Sequence, residues 1–126
     1  MDKMKEKLNL WIAYLNLEYS FGKASLFEEL IKRALEINDK KNIYLAVINL
    51  YKKDDKHHLI DGIYTILTKI YSQDLDIWRS YIEFLFEIGE VEGIPEPRQA
   101  LSKSLTYLSK KSQVELIYRY AMCEFK

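Results

Sequence analysis

The sequence predicts an all-α fold, a right-handed α-solenoid built from about three and a half antiparallel helix pairs. Three observations predict it. Helix breakers are scarce, with four Gly and two Pro in 126 residues, too few for the turns of an all-β fold. Apolar residues recur at helical spacing along the whole chain. One pattern also returns at a nearly fixed period. Trp11-x-x-Tyr14, Tyr44-x-x-Val47, Trp78-x-x-Tyr81 and Ile117-x-x-Tyr120 are spaced by 33, 34 and 39 residues. Between them Leu30, Ile63 and Ala100 align, as do Ala34, Leu67 and Ser104. A helix pair of that period cannot bury its apolar faces alone, so stacked neighbours make one continuous core. The boundaries read as a single repeat domain with pairs at about 4–37, 40–71 and 74–109, followed by a lone helix at 112–126.

Each helix has its own signals. In the first, Leu8, Trp11, Ile12, Leu15 and Tyr19 form one stripe, and Leu10, Tyr14, Leu17 and Phe21 a second. A helix apolar on two flanks is expected to be packed on both. Gly22 is expected to stop it in a left-handed conformation. Ser25 to Glu28 reads as a capping box opening the second helix. Asn38-Asp39 ends that helix and can cap a third over 42–53. The polar knot Lys52 to His58 separates it from a fourth over 59–71, whose Gly62 costs roughly 1 kcal/mol relative to Ala. Asp74 or Asp76 can cap a fifth helix, which Gly89 stops. Glu90 to Pro97 is the one loop rich in breakers, and it accounts for the longer last step. Pro97 suits the first turn of a sixth helix. Ser112 to Glu115 reads as a second capping box, opening the seventh.

Bulk properties exclude several classes. Nineteen basic and nineteen acidic residues balance, so RNA contact through phosphate neutralisation would need a local patch. The single Cys, Cys123, rules out an intrachain disulfide, and in its apolar run it acts as a small hydrophobe. No apolar run reaches the ~20 residues of a membrane span, so no membrane partner is expected. Asp54-Asp55 and His57-His58 could ligate a metal in principle. Four clustered loop residues rarely converge on one centre, so no metal site is assigned. Lys32-Arg33, Lys40-Lys41, Lys52-Lys53 and Lys110-Lys111 are placed near helix ends, where C-termini favour cations. No nucleophile–base pair, metal set or phosphate loop emerges, so neither an enzyme nor a cofactor is expected.

Glu18 is unusual. It lies two turns after Trp11 on the same flank, where a buried charge needs a partner. Arg33 and Tyr44 are the expected donors. The equivalent positions are Tyr51, Leu85 and Glu124.

Trp-x-x-Tyr followed by Glu near the end of the first helix resembles the HAT (half-a-TPR) repeat. Over longer strings, Leu8 to Gly22, Leu30 to Leu35, Leu75 to Glu90 and Val114 to Lys126 are similar to the HAT region of the RRP-five ribosomal RNA processing family. The chain departs from that pattern at the Glu90–Pro97 insertion and in its second pair, which has Tyr44 and Val47 for Trp and Tyr. The repeat-signature residues are Trp11, Tyr14, Glu18, Arg33, Ala34, Tyr44, Trp78, Tyr81, Tyr120 and Glu124. The resemblance implies a non-enzymatic nucleolar scaffold in rRNA processing and early pre-ribosome assembly. Its implied partners are pre-ribosomal assembly proteins, with pre-rRNA as a further partner class. The alternatives are a HAT scaffold of splicing or mRNA 3′-end processing, and direct RNA binding. The family's OB-type repeats are absent here, so the chain is expected to be part of a longer protein. Val114, Ile117, Tyr118, Ala121 and Phe125 form a last apolar stripe with no helix after it. That stripe is the expected partner surface, with self-association as one way to cover it.

Overall fold

The structure, a computed structural model, describes residues 2–124, and among them it is all-helical. The helices are α1 (Asp2–Phe21), α2 (Ala24–Ile37), α3 (Lys40–Lys53), α4 (His57–Ile70), α5 (Leu75–Ile88), α6 (Pro97–Ser104) and α7 (Lys110–Glu124). None is long and apolar enough to cross a membrane. The described chain forms two compact units, divided between Lys56 and His57. The division falls between α3 and α4, inside the second of the expected pairs.

In the first unit α1, α2 and α3 pack against one another. Leu15, Phe27, Leu30, Ala34, Ile43 and Val47 are buried there. Tyr19, Phe27 and Tyr51 bring one ring from each helix to centroid distances of 5.0–6.1 Å. The Lys56 ammonium lies 5.1 Å from the Tyr19 ring centre. The Tyr19 hydroxyl donates to Asp54. Desolvation, then this hydrogen bond, pushes the Tyr19 phenol up to about 12.

In the second unit α5 packs against α4, α6 and α7. Trp78 is fully enclosed, and its indole N–H donates to the Ser72 carbonyl at 2.7 Å, which satisfies its one polar atom. Ala34, Leu67 and Ser104, aligned by the repeat, are each fully buried. Ser104 remains satisfied there because its hydroxyl donates to the Leu101 carbonyl at 2.6 Å.

Several local expectations need correcting. Gly22 is not left-handed, since the positive-φ glycines are Gly89 and Gly93. What Gly22 provides is room: a Cβ there would lie 2.2 Å from Glu18 Oε1 and 2.7 Å from the Glu18 carbonyl oxygen. Ser25 does not cap α2, which starts at Ala24 from an extended Lys23 with no side-chain cap. The turn after Gly22 is so tight that Ser25 is already inside the first turn. Ser112 likewise lies inside α7; Ser109 Oγ accepts from its N–H at 3.3 Å. Gln113 then ties this turn down by donating to the Leu105 and Leu108 carbonyls at 3.0 and 2.9 Å. Other expectations held. Asp74 caps α5 by accepting from Asp76 N and Ile77 N. Gly89 ends α5 at φ 72°. Pro97 opens α6, behind a capping box formed by Glu96 and Gln99.

The Glu90–Pro97 loop is anchored to α4. His58 Nε2 donates to the Glu92 carbonyl at 2.8 Å, and Gly93, at φ 84°, lies against the same ring. The His57 ring lies 6.2 Å from Phe84. The two histidines therefore serve the packing of their own unit. Among the described residues no three His, Cys, Asp or Glu side chains are grouped as metal ligands.

Candidate functional site

The repeat-signature residues fall into contrasting environments. Trp78 and Tyr81 are buried on α5, whereas Trp11 is half-buried and Tyr14 exposed on α1. Ala34 and Tyr120 are buried, Tyr44 is half-buried and Arg33 is exposed. The expected donors for Glu18 do not reach it: no hydrogen bond to Arg33 or Tyr44 forms among the described residues. Its half-buried side chain lies over Gly22 instead. At the equivalent position Glu124 does find a basic partner, Arg98 on α6. This pairing is the main reason the Arg98 guanidinium is held above its ordinary value.

Sequence reasoning missed the Tyr81–Asp61 pair. The Tyr81 hydroxyl donates to Asp61 Oδ1 at 2.5 Å, and the Tyr81 and Tyr64 rings stack 5.2 Å apart. Burial, then Asp61, pushes the Tyr81 phenol well above its usual range. The partners are 20 residues apart, so no local signal announces them. The repeat register could have singled out Tyr81, but not its acceptor.

The two terminal helices each expose an apolar stripe, and α2 and α4 expose further apolar residues, Leu26, Ile37, Leu59, Ile66 and Ile70. On α7, Val114, Ile117 and Tyr118 are exposed and Ala121 is half-buried, while Leu116 and Tyr120 face inward. Phe125 lies outside the described residues. On α1 the second stripe stands open: Leu10 is 71% exposed, Tyr14 52%, Leu17 58% and Phe21 85%. The expectation that α1 is packed on both flanks therefore fails within its unit, because no helix of that unit covers this side.

The register shows what is unusual about that stripe. Leu10, Tyr14 and Leu17 correspond to Ile43, Val47 and Leu50 on α3, to Ile77, Tyr81 and Phe84 on α5, and to Leu116, Tyr120 and Cys123 on α7. All of these counterparts are buried except Cys123, which is half-buried. A position set that is core in three helices is open in the fourth. Lys3 and Lys7, both exposed, continue the stripe toward the N-terminus at the same alternating spacing of four and three.

The basic pairs are less regular than expected. Lys52 and Lys53 occupy the last turn of α3, where the helix dipole favours them. Lys40-Lys41 and Lys110-Lys111 instead open α3 and α7, and Lys32-Arg33 lie within α2. Residues 1–56 hold eleven Lys and Arg against nine Asp and Glu, and residues 57–126 eight against ten. Formal charges of +2 and −2 thus underlie the overall balance.

No family model matches the chain. It is nevertheless similar along nearly its whole length to named proteins. It is 28% identical over 122 residues to the human Protein RRP5 homolog, covering 97% of this chain and 6% of that protein. It is 31% identical to rRNA biogenesis protein rrp5 of Schizosaccharomyces pombe, over 96% of this chain and 7% of that protein. It is 29% identical to rRNA biogenesis protein RRP5 of Arabidopsis thaliana, again over 97% and 6%. The chain spans well under a tenth of the length of these relatives.

Proposed function

The chain belongs to the RRP5 family by similarity along 97% of its length, and from that membership we propose that it serves rRNA biogenesis as a non-enzymatic helical scaffold. That similarity is the observation that carries the reading, since two of the relatives are named rRNA biogenesis proteins. In this reading the chain acts in the nucleolus and holds pre-ribosomal assembly proteins on exposed helix faces. The geometry supports a holding role. Two polar side chains of the second unit are committed to packing, His58 to the Glu92 carbonyl and Tyr81 to Asp61. The open surfaces are apolar helix stripes of the kind that recognise helices.

The test is depletion of the protein in its source cells, followed by hybridisation for pre-rRNA intermediates. Accumulation of unprocessed pre-rRNA is the expected result. An unchanged pattern in depleted cells contradicts the reading.

A second reading, direct contact with pre-rRNA, draws on the basic excess of residues 1–56 and on the three Lys/Arg pairs that no helix C-terminus explains. Binding to a labelled pre-rRNA segment at two salt concentrations separates the two. RNA contact predicts affinity that falls steeply with salt. The scaffold reading predicts weak binding at both.

A further inference from the structure

We propose that Lys56 is a lysine methylation site, and that its methylated ammonium is the group for which the Tyr19–Tyr51 ring pair is dimensioned. The inference goes beyond the scaffold reading and rests on one corner of the first unit. Tyr19, Phe27 and Tyr51 come from α1, α2 and α3, so the corner exists only once the three helices have packed. Tyr19 and Tyr51 meet at 73°, and Phe27 backs them at 52° and 82°. Phe27 and Tyr51 are buried and Tyr19 is half-buried. The Lys56 ammonium lies over both tyrosine rings, 5.1 Å from the Tyr19 centre and 5.7 Å from the Tyr51 centre.

The backbone delivers Lys56 to this place. Asp55 adopts a left-handed conformation, φ 52°, which a residue with a Cβ takes only at a cost. It ends α3 in a Schellman turn: the Lys56 N–H donates to the Tyr51 carbonyl at 3.2 Å and the Asp55 N–H to the Lys52 carbonyl at 3.3 Å. The chain is thereby folded back toward Tyr51. Asp54, whose carboxylate accepts the Tyr19 hydroxyl, sets a negative charge at the edge of the same ring.

The distances decide which form of the ammonium fits. An atom in contact with a ring lies about 3.5–4 Å from it. The nitrogen stands roughly 1–2 Å beyond that from both ring centres, a gap of about one N–C bond, ~1.5 Å. Methyl groups on the nitrogen fill it. They keep the positive charge that the ring quadrupoles attract and add apolar surface, the chemistry of aromatic cages for methylated lysine. Acylation would instead remove the charge. Lys56 is also exposed, so its nitrogen is within reach of an enzyme. In the transfer the ammonium first gives a proton to solvent. The amine lone pair then attacks the methyl carbon of a methylsulfonium donor held by a methyltransferase. The C–N bond forms, the C–S bond breaks with its electrons staying on the thioether sulfur, and the nitrogen regains its positive charge.

Two measurements test this. In the first, the protein is isolated from its source cells and the peptide carrying Lys56 is weighed by mass spectrometry. Methyl mass increments on Lys56 are the expected result, and Lys56 found wholly unmodified overturns the proposal. In the second, the lysines of the whole chain are methylated reductively with an isotopically labelled methyl source and read by NMR. The Lys56 signal is the one that Lys56→Arg removes. It should lie upfield of the other lysine methyl signals, shifted by the ring currents of Tyr19 and Tyr51. Tyr19→Leu, at a half-buried ring, should move it back toward the others, and Tyr51→Leu should do the same. A Lys56 signal that coincides with those of the other lysines overturns the proposal, because the rings would then not hold the methylated ammonium. Neither measurement depends on pre-rRNA processing in depleted cells, so this inference and the scaffold reading fail separately.

Discussion

α1 and α5 carry the same Trp-x-x-Tyr signature in opposite environments. On α5 the indole is fully enclosed, its N–H is bonded, and the Tyr rests under α4 with its hydroxyl on Asp61. On α1 the Trp is half-buried and stacks 6.3 Å from a Tyr that faces solvent. The residues match and the neighbours differ. A repeat signature thus specifies what a helix is able to bury, and the adjacent helix decides whether burial occurs.

The largest contrast should appear at the tryptophans. Trp78→Ala leaves an enclosed cavity and should cost about 3–5 kcal/mol in urea unfolding. Trp11→Ala, at a partly open site, should cost about 1 kcal/mol. If both fall within the same range, α1 is covered in solution and the comparison breaks.

The tyrosine hydroxyls sharpen it further. Tyr81→Phe strands a carboxylate partner and should cost about 1.5 kcal/mol, whereas Tyr14→Phe should be silent. Alkaline titration of stability reads the Tyr81 hydroxyl as well. Tyr81, Tyr64 and Tyr19 all have phenols raised above the ordinary value near 10, the latter two to about 12. Below pH ~10 their contribution is fully present. As pH rises toward the folded-state values the unfolded chain loses these protons first, so stability falls. Tyr81→Phe should shallow that decline.

Two glycines give the smallest contrast, with opposite signs. Gly22→Ala forces a Cβ into Glu18 and should destabilise by about 1 kcal/mol, with part recovered when Glu18→Ala is added. Gly62→Ala meets nothing within 4 Å inside α4 and should stabilise by up to about 1 kcal/mol. Thermal melts of the two variants check both signs.

Much of the fold was legible because its signals are local or periodic. Helical spacing placed all seven helices, and the period aligned Ala34, Leu67 and Ser104, which all prove fully buried. Pro97, Asp74 and Gly89 act where their chemistry puts them. The misses came from competing local solutions and from distance. Ser25 and Ser112 had the spacing of caps, but tight connections started both helices earlier. Gly22 had the position of a left-handed stop, yet its use is to make room for Glu18. The open face of α1 was unreadable because apolar spacing records the capacity to pack and not the presence of a partner. On α7, Val114, Ile117 and Tyr118 are exposed in the stripe that the spacing marked out.

The most direct test of this account is the pair Tyr14→Ala and Tyr81→Ala, measured by equilibrium urea unfolding. The two positions are equivalent in the repeat and differ in coverage. The account predicts a loss of about 3–5 kcal/mol at Tyr81 and under about 0.5 kcal/mol at Tyr14. Equal losses at both would contradict it, because α1 would then be buried as deeply as α5.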